Sequence, residues 1–340
     1  MTRKKLGMKR PPRKLLEEYK VNVQSDTAFR ANARLLQSIW RRKNFGDKIG
    51  ADSNKKIELG NLLPEDIAVN REANFLTDRI YRIVKEAVSQ KGKNNALIAE
   101  PRIWTNLLSS QPLCFNLFGE LEADKDKDLA TKLFKKLLPE LVKEVEKIKF
   151  EYSPGRRDPK YLGDRTAFDI FVEFTATDGE KGFTGIEVKY AETIINKPLA
   201  KGKTEEELRL KRERYQEVAD KSGIFKEEKK YRTELLFSNI HQIWRDHLLA
   251  WSILQEENDK YKHGLYMFLY PKDNIQCFRA ISKYLKTFKK DDEQVNRFYP
   301  VTIESVINIL KNIPKRRGDA KWVEDFENRY LNFEQIKDLT

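Results

Sequence analysis

Two acidic residues and one lysine stand in two neighbouring apolar segments of the chain, where charge is unusual. Asp169 lies in AFDIFVEFTA (167–176), and Glu187 and Lys189 lie in GFTGIEVKYA (182–191). Burying charge is costly unless the charge is paired or binds a cation. Carboxylate oxygens suit Mg²⁺ or Mn²⁺, and a lysine beside them could orient or deprotonate the attacking water, or offset charge on phosphorus. These residues therefore predict a metal-dependent site for phosphodiester hydrolysis.

The two segments predict an antiparallel hairpin that brings these charges to one point. Both are rich in the β-branched and aromatic residues that strands favour, and Asp178-Gly179 between them is a strong turn signal. Alternate residues of a strand share a face, which puts Asp169 on one face of the first strand and Glu187 with Lys189 on one face of the second. The opposite face is predicted to be apolar, formed by Phe168, Ile170, Val172, Phe174, Ile186, Val188 and Tyr190.

At these residues the chain resembles the PD-(D/E)XK nuclease superfamily, which includes restriction endonucleases, DNA-repair nucleases and phage-defence enzymes. Phe168-Asp169 stands where the family has Pro-Asp, and Glu187-Val188-Lys189 matches its (D/E)-x-K. The resemblance implies that Asp169 and Glu187 bind the metal and that Lys189 assists the water. Phe168 in place of proline is a departure that removes no chemical group. The sequence around these residues, with SSQPLCFNLF upstream, is similar to that of a poorly characterised bacterial branch of the superfamily. The resemblance covers about residues 96–310.

The resemblance also implies polar side chains from two flanking helices. Such nucleases often add an acidic residue from an upstream helix, for which Glu120 is our preferred candidate and Glu100 the alternative. A helix after the hairpin often supplies a polar residue as well. Gln242 and Arg245 are three residues apart on one helical face and could reach a phosphate. An ordinary solvated carboxylate and an ordinary polar helix face remain the alternatives.

The charge of the chain favours nucleic acid as the partner, and the family resemblance implies that it is DNA. The net charge is +13, with 66 Lys and Arg residues against 53 Asp and Glu. Lysine and arginine neutralise backbone phosphates, which is the usual source of sequence-independent nucleic-acid affinity. Arg156, Arg157 and Arg165 flank the loop that enters the first catalytic strand, and we expect at least one of them to contact a phosphate.

The composition divides the chain into segments. A basic disordered arm (1–14) precedes a helical N-terminal region (15–95), and a C-terminal extension (316–340) follows a nuclease-like domain (96–315). Within that domain, residues 204–230 are almost all charged and are interpreted as an insertion, either an exposed helix or a mobile flap.

Hydrophobic periodicity predicts an α/β fold, a mixed central β-sheet flanked by helices with a helical N-terminal region. Residues 126–149 are predicted as one helix, kinked at Pro139. Residues 96–121 are predicted to hold two short helices broken near Ser109–Pro112. Other helices are predicted over about residues 25–42, 71–90, 232–257, 274–288 and 303–313, and further strands over 264–271 and 297–301.

Several classes of protein are disfavoured. No apolar run approaches the roughly 20 residues of a membrane span, and no apolar segment follows the basic N-terminus as a secretory signal requires. Cys114 and Cys277 are interpreted as buried thiols of a reducing compartment, so we expect a cytoplasmic protein. The three histidines are not spaced for zinc, and His241 and His247 are expected to be surface or structural residues rather than catalytic bases.

Three functions stay open on the residues alone. The first, which we favour because all three core residues are present, is a Mg²⁺-dependent DNA endonuclease of restriction or phage defence. The second is a non-cleaving nucleic-acid-binding protein that keeps the fold and the basic surface. The third is a structural protein in which Asp169, Glu187 and Lys189 form a buried ion-pair cluster. Cutting both strands of a duplex usually calls for two sites, which a homodimer would supply.

Overall fold

The centre of the protein is a five-stranded mixed β-sheet with helices packed on both faces. This is a computed structural model of the 340-residue chain. The residues that it describes are 7–52, 57–70, 72–90, 97–192, 194, 205–227, 235, 240–314 and 317–339.

These described residues form fourteen helices and seven strands. The helices are α1 (Arg13–Glu18), α2 (Ala28–Phe45), α3 (Glu65–Asn70), α4 (Asp78–Gln90), α5 (Arg102–Thr105), α6 (Ser110–Ala123), α7 (Asp128–Leu137), α8 (Glu205–Ser222), α9 (His241–Glu256), α10 (Ile275–Leu285), α11 (Glu293–Asn296), α12 (Ile303–Asn312), α13 (Arg317–Tyr330) and α14 (Glu334–Lys337). The strands are β1 (Gly50–Ala51), β2 (Glu58–Leu59), β3 (Val142–Tyr152), β4 (Phe168–Ala176), β5 (Lys181–Val188), β6 (His263–Tyr270) and β7 (Phe298–Thr302).

The strand order of the central sheet is β3-β4-β5-β6-β7, and it confirms the predicted α/β fold. The pairs β3–β4 and β4–β5 are antiparallel, whereas β5–β6 and β6–β7 are parallel. The predicted hairpin is confirmed too. Its turn closes where the Ala176 amide donates to the Glu180 carbonyl at 2.8 Å, and Gly179 takes the positive φ of 91° that favours glycine.

The two faces of the sheet pack into separate apolar clusters. Ile170, Val172 and Ile186 face a cluster that includes residues of α2, α4, α6, α7, α12 and α13. Phe171 and Tyr266 face a second cluster, which is covered by α8, α9 and α10. The N-terminal and C-terminal helices therefore share one core with the sheet.

Phe168 differs from the predicted alternation, because its ring packs in the second cluster and not with Ile170. The ring lies over Gly185, where a β-carbon would stand 2.4 Å from the ring. Position 185 is therefore restricted to glycine by the ring that crosses it.

The single helix predicted over residues 126–149 is wrong in its second half. Helix α7 ends at Leu137, before Pro139, and β3 begins at Val142. Register shifts between Val142 and Glu144, and between Val145 and Lys147, mark bulges in this strand. Each bulge adds a residue, so the buried positions are Val142, Val145 and Ile148, with helical rather than alternating spacing.

Two further predictions need correction at their ends. The helix predicted from residue 71 begins at Asp78; residue 71 itself lies outside the described residues. The predicted disordered arm is folded in its second half, since Arg10 donates to the backbone carbonyls of Val23 and Asp26 and α1 begins at Arg13. Residues 1–6 of that arm lie outside the described residues, as do 204 and 228–230 of the insertion.

Cys114 and Cys277 are buried free thiols, as predicted. Burial raises the pKa of the Cys277 thiol to about 12, so the thiol stays protonated. Within the part of the chain that the structure describes, none of the helices has the length and hydrophobicity that a bilayer-crossing segment requires.

Candidate active site

The hairpin brings Asp169, Glu187 and Lys189 together, as the alternation of the strands predicts. Ile170 pairs with Ile186, and continuing this antiparallel register by one residue sets Asp169 beside Glu187. One carboxylate oxygen of Asp169, Oδ2, accepts a hydrogen bond from the Val188 amide at 2.8 Å. This bond fixes the carboxylate against the end of β5, next to the lysine.

Two side chains hold Glu187, which is only 4% exposed. The Lys189 Nζ lies 2.6 Å from the Glu187 Oε1, and the Gln242 Nε2 donates to the same oxygen at 2.6 Å. Gln242 lies in the first turn of α9. The structure therefore places Gln242 at the site, where it contacts the carboxylate rather than an open surface.

The carboxylates of the site carry more negative charge than the lysine neutralises. Burial raises the pKa of Asp169 well above its usual range, and the nearby carboxylates Glu187 and Glu151 raise it further. Burial by itself lowers the pKa of Lys189, but Glu187, Asp169 and Glu192 outweigh it, so the pKa is raised. In the metal-free protein Lys189 thus stays protonated at neutral pH and can act as a charged donor.

Glu151 is a residue of the site that the sequence interpretation missed. Phe150 pairs with Ile170 and Tyr152 with Phe168, so Glu151 stands across β3–β4 from Asp169. Its backbone has a φ of 51°, in the left-handed region that a non-glycine residue rarely adopts. Burial, together with the charge of Glu187, raises the pKa of the Glu151 carboxyl to about 7.

Two neighbours hold Glu151 in this position. The Gln111 Nε2, from the first turn of α6, donates to the Glu151 Oε1 at 2.5 Å, and the Arg156 guanidinium lies 3.9 Å from the Oε2. Glu151 could have been found from the sequence only by predicting a strand that pairs with β4. A helix was predicted over residues 126–149 instead, so Glu151 was not considered.

The structure does not place Glu120 or Glu100 with Asp169, Glu187 and Lys189. Glu120 lies near the far end of α6, where it accepts a hydrogen bond from Thr77 and pairs with Arg79 at 3.2 Å. At about 1.5 Å of rise per residue, it stands more than 10 Å along the helix from Gln111. Glu100 accepts a hydrogen bond from the Trp104 indole at 3.0 Å. Both carboxylates have structural partners, and the acid that lies across the strand pair from Asp169 is Glu151.

The three arginines predicted to contact phosphate lie in different environments. Arg156 is not on the surface: its side chain is 6% exposed, and it donates to the carbonyl oxygens of Arg165 at 2.7 Å and Glu151 at 3.3 Å. It therefore closes the loop between β3 and β4. Arg157 and Arg165 are exposed, so their positions suit the predicted phosphate contact.

Helix α9 adds a second buried acid that the sequence interpretation did not single out. Asp246 is fully buried and lies 3.4 Å from the guanidinium of Arg245. Burial raises the pKa of Asp246 well above its usual range. Arg245 is partly exposed and follows Gln242 by three residues on the same helix, which places the two on one helical face.

His247 of the same helix is a structural residue, as predicted. Its Nδ1 lies 2.9 Å from the Tyr284 hydroxyl, inside the second apolar cluster. Burial lowers the pKa of His247 to about 3, so the imidazole is neutral throughout the physiological range.

The two strand carboxylates fit a Mg²⁺ or Mn²⁺ ion. Among the described residues, Val188 donates to one oxygen of Asp169, and Lys189 and Gln242 donate to one oxygen of Glu187. The second oxygen of each carboxylate is left for a cation. In the same residues no three His, Cys, Asp or Glu side chains converge into a complete cage. Mg²⁺ is usually held by one or two carboxylates together with waters and substrate phosphates, so a pair is sufficient.

Comparison with known proteins agrees with this geometry. The family model of the PD-(D/E)XK nuclease superfamily matches residues 24–332, and the chain therefore belongs to this superfamily. No curated protein and no solved structure matches the chain. The family assignment made from Phe168-Asp169 and Glu187-Val188-Lys189 is confirmed. The match extends beyond the 96–310 expected, to include all of α2 and all of α13.

Proposed function

We propose that the protein is a Mg²⁺-dependent endonuclease that hydrolyses phosphodiester bonds of DNA. The observation that carries the proposal is the meeting of Asp169, Glu187 and Lys189 at one end of the hairpin, with Glu151 across the next strand pair. Like charges in a buried place are costly, and sites that keep them are candidates for function. Membership of the nuclease superfamily supports the same reaction class.

Each side chain has a role that follows from its contacts. Asp169 and Glu187 would hold the cation, which when bound polarises a phosphate oxygen and activates water. Lys189 keeps its proton and can stabilise the negative charge that develops on the phosphoryl group. Gln242 fixes the Glu187 oxygen that Lys189 also contacts, and Glu151 adds a third acidic group whose ionised form would favour a divalent ion.

The charge of the chain supports a nucleic acid as the substrate, and DNA is our choice from the restriction and repair nucleases of the superfamily. A net charge of +13 attracts a phosphate backbone, and Arg157 and Arg165 present exposed guanidinium groups on the loop that leads to Asp169. Arg245 lies near Glu187 and is our further candidate for phosphate contact. We place the enzyme in the cytoplasm, in restriction or phage defence, and expect a homodimer where both strands are cut.

The proposal is tested by incubating the purified protein with supercoiled plasmid and Mg²⁺, Mn²⁺ or Ca²⁺. We expect nicked or linear product with Mg²⁺ and Mn²⁺, and no product in chelator. Glu187→Gln and Lys189→Met should each lower the rate more than about a hundredfold. Glu120→Gln is the matched control, because it neutralises another buried glutamate away from the site and should cleave at the wild-type rate.

The outcomes separate the alternatives. Plasmid binding without cleavage under any of these metals would favour a non-cleaving nucleic-acid-binding protein. Absence of both binding and Mn²⁺ uptake would favour a structural ion pair between Lys189 and Glu187. RNA of the same sequence, assayed in parallel, tests the choice of DNA, since faster cleavage of RNA would contradict it.

A further inference from the structure

The loop between β3 and β4 leads from Glu151 directly to Asp169, and it is built as a closed unit. The Arg157 amide donates to the Asp164 carbonyl at 2.5 Å, and the Asp164 Oδ1 accepts from the Thr166 amide at 2.8 Å. These bonds set the loop path on both sides of its two exposed arginines, Arg157 and Arg165. We call residues 153–167 the arginine loop.

Helix α8 holds the arginine loop from outside through two consecutive residues. The Arg214 Nε donates to the Tyr161 carbonyl at 2.5 Å, and its Nη2 donates to the Lys160 carbonyl. The Tyr215 hydroxyl donates to the Asp164 Oδ2 at 2.5 Å. Arg214 and Tyr215 thus donate three hydrogen bonds to the arginine loop, two to backbone carbonyls and one to a carboxylate.

Helix α8 is itself fixed to α9, the helix that carries Gln242. Tyr215, Val218 and Ala219 are buried in the second apolar cluster, and the Tyr215 ring meets the Trp244 ring edge-on with centroids 5.5 Å apart. Arg214 also pairs with Glu256 near the end of α9 at 2.9 Å. The charged insertion is therefore a packed helix at its C-terminal half, and it links the arginine loop to α9.

We propose that α8 is a positioning element that holds the arginine loop, with Arg157 and Arg165, in the conformation that receives the DNA backbone beside Asp169. The inference rests on the proposed function, because it assigns the loop to the same substrate. A loop held in its bound conformation pays less conformational entropy on binding than a free loop does. Arg214 and Tyr215 are positioning residues in this proposal, since they act through the loop and do not contact the reacting atoms.

The first test is Tyr215→Phe, which keeps the ring and the net charge and removes only the hydroxyl that holds Asp164. Binding of a short fluorescent DNA duplex is measured in Ca²⁺, together with steady-state cleavage in Mg²⁺. We expect about tenfold weaker binding, as for one lost buried hydrogen bond to a charged group, and a salt dependence shallower by about one phosphate contact. KM should rise with little change in kcat.

Tyr284→Phe is the matched control, because Tyr284 is fully buried in the same apolar cluster and loses a hydrogen bond to His247, away from the loop. It should leave duplex affinity and salt dependence at the wild-type values. Wild-type affinity in Tyr215→Phe, or an equal loss of affinity in both variants, would overturn the proposal.

A second pair of variants covers the case in which Tyr215→Phe does not fold. Arg214→Gln and Lys221→Gln each remove one positive charge from α8, but Lys221 pairs with Glu217 and lies on the exposed side of the helix. We expect weaker duplex binding for Arg214→Gln alone, and equal effects would overturn the proposal. Failure of the proposed function looks different, since the wild type itself would then neither take up Mn²⁺ nor cleave.

Discussion

Two buried acidic clusters of this protein are built from similar side chains and differ in their balance of charge. In the N-terminal region, Asp26 is 8% exposed and is paired with two arginines, Arg34 at 2.7 Å and Arg30 at 3.0 Å. At the end of the hairpin, Asp169 and Glu187 share Lys189, with Glu151 near them. The first cluster has more positive than negative groups, and the second has the reverse.

The difference separates a structural cluster from a site. The carboxylate of Asp26 receives donors on both oxygens, so its charge is compensated within the protein. Asp169 and Glu151 instead have raised pKa values, because they are buried beside other carboxylates. Acids that are buried beside one another in this way can hold their charged forms when a ligand supplies a cation, which here is the proposed Mg²⁺ ion.

The largest expected difference between the clusters is in catalysis. Asp169→Asn should lower plasmid cleavage at least a thousandfold, or about 4 kcal/mol of transition-state stabilisation, because it removes one of two metal-holding carboxylates. Asp26→Asn makes the same chemical change in the structural cluster, and it should keep the wild-type kcat at a temperature where both variants are folded. Similar cleavage rates for the two variants would remove the distinction between the clusters.

The second expected effect is on the free energy of unfolding, and here Asp26→Asn is the variant that should lose more than Asp169→Asn. Asp26→Asn should lower the free energy of unfolding by about 3 kcal/mol, since it leaves the buried guanidinium of Arg34 and the partly exposed one of Arg30 without their carboxylate. The measurement is urea denaturation in chelator. Glu17→Gln, which breaks the exposed pair with Arg13, should cost less than about 0.5 kcal/mol. An Asp26→Asn variant as stable as the wild type would show that the charge of Asp26 is not needed to keep the two arginines in place.

The third expected effect is also on the free energy of unfolding, but a substitution of Glu151 should raise it rather than lower it. The folded-state pKa of about 7 lies above the usual 4.5, so the neutral carboxyl is favoured, and this stabilisation is lost as the pH rises through about 7. Glutamine does not titrate. Glu151→Gln should therefore be more stable than wild type in chelator by up to about 3 kcal/mol near pH 8, and the two should be equally stable near pH 4. A wild type that is more stable near pH 8 would contradict the assignment.

The smallest effect concerns the pH dependence of metal binding. The cation must displace protons from the Asp169 and Glu151 carboxyls, whose pKa values are raised, so Mg²⁺ affinity should rise by roughly tenfold between about pH 6 and pH 8. Calorimetric titration in two buffers measures both the affinity and the released protons. In Glu151→Gln the dependence should be shallower, and an unchanged slope would exclude Glu151 from the site.

The sequence predicted the features that depend on local pattern. Strand-forming residues on both sides of Asp178-Gly179 indicate the hairpin, and the hairpin register alone brings Asp169 to Glu187 and Lys189. The approximate bounds of β6, β7, α10 and α12 follow from the same kind of pattern. The family match confirms the assignment that these residues supported.

What the sequence did not predict depends on contacts between distant segments. Two bulges give β3 the three-residue burial spacing of a helix, and this concealed Glu151. Glu120 was preferred because a helix carries it, but the far end of that helix packs against Thr77 and Arg79. The contact of Tyr215 with Asp164 joins two segments 51 residues apart, and no local pattern records it.

The most direct test of the central claim is a crystal structure of the wild-type protein grown with Mn²⁺, with data collected to locate the metal by anomalous scattering. We predict one strong anomalous peak in contact with an oxygen of Asp169 and an oxygen of Glu187, with Lys189 still directed at the site. A structure at saturating Mn²⁺ in which the Lys189–Glu187 pair is intact and no peak lies between the two carboxylates would contradict the account.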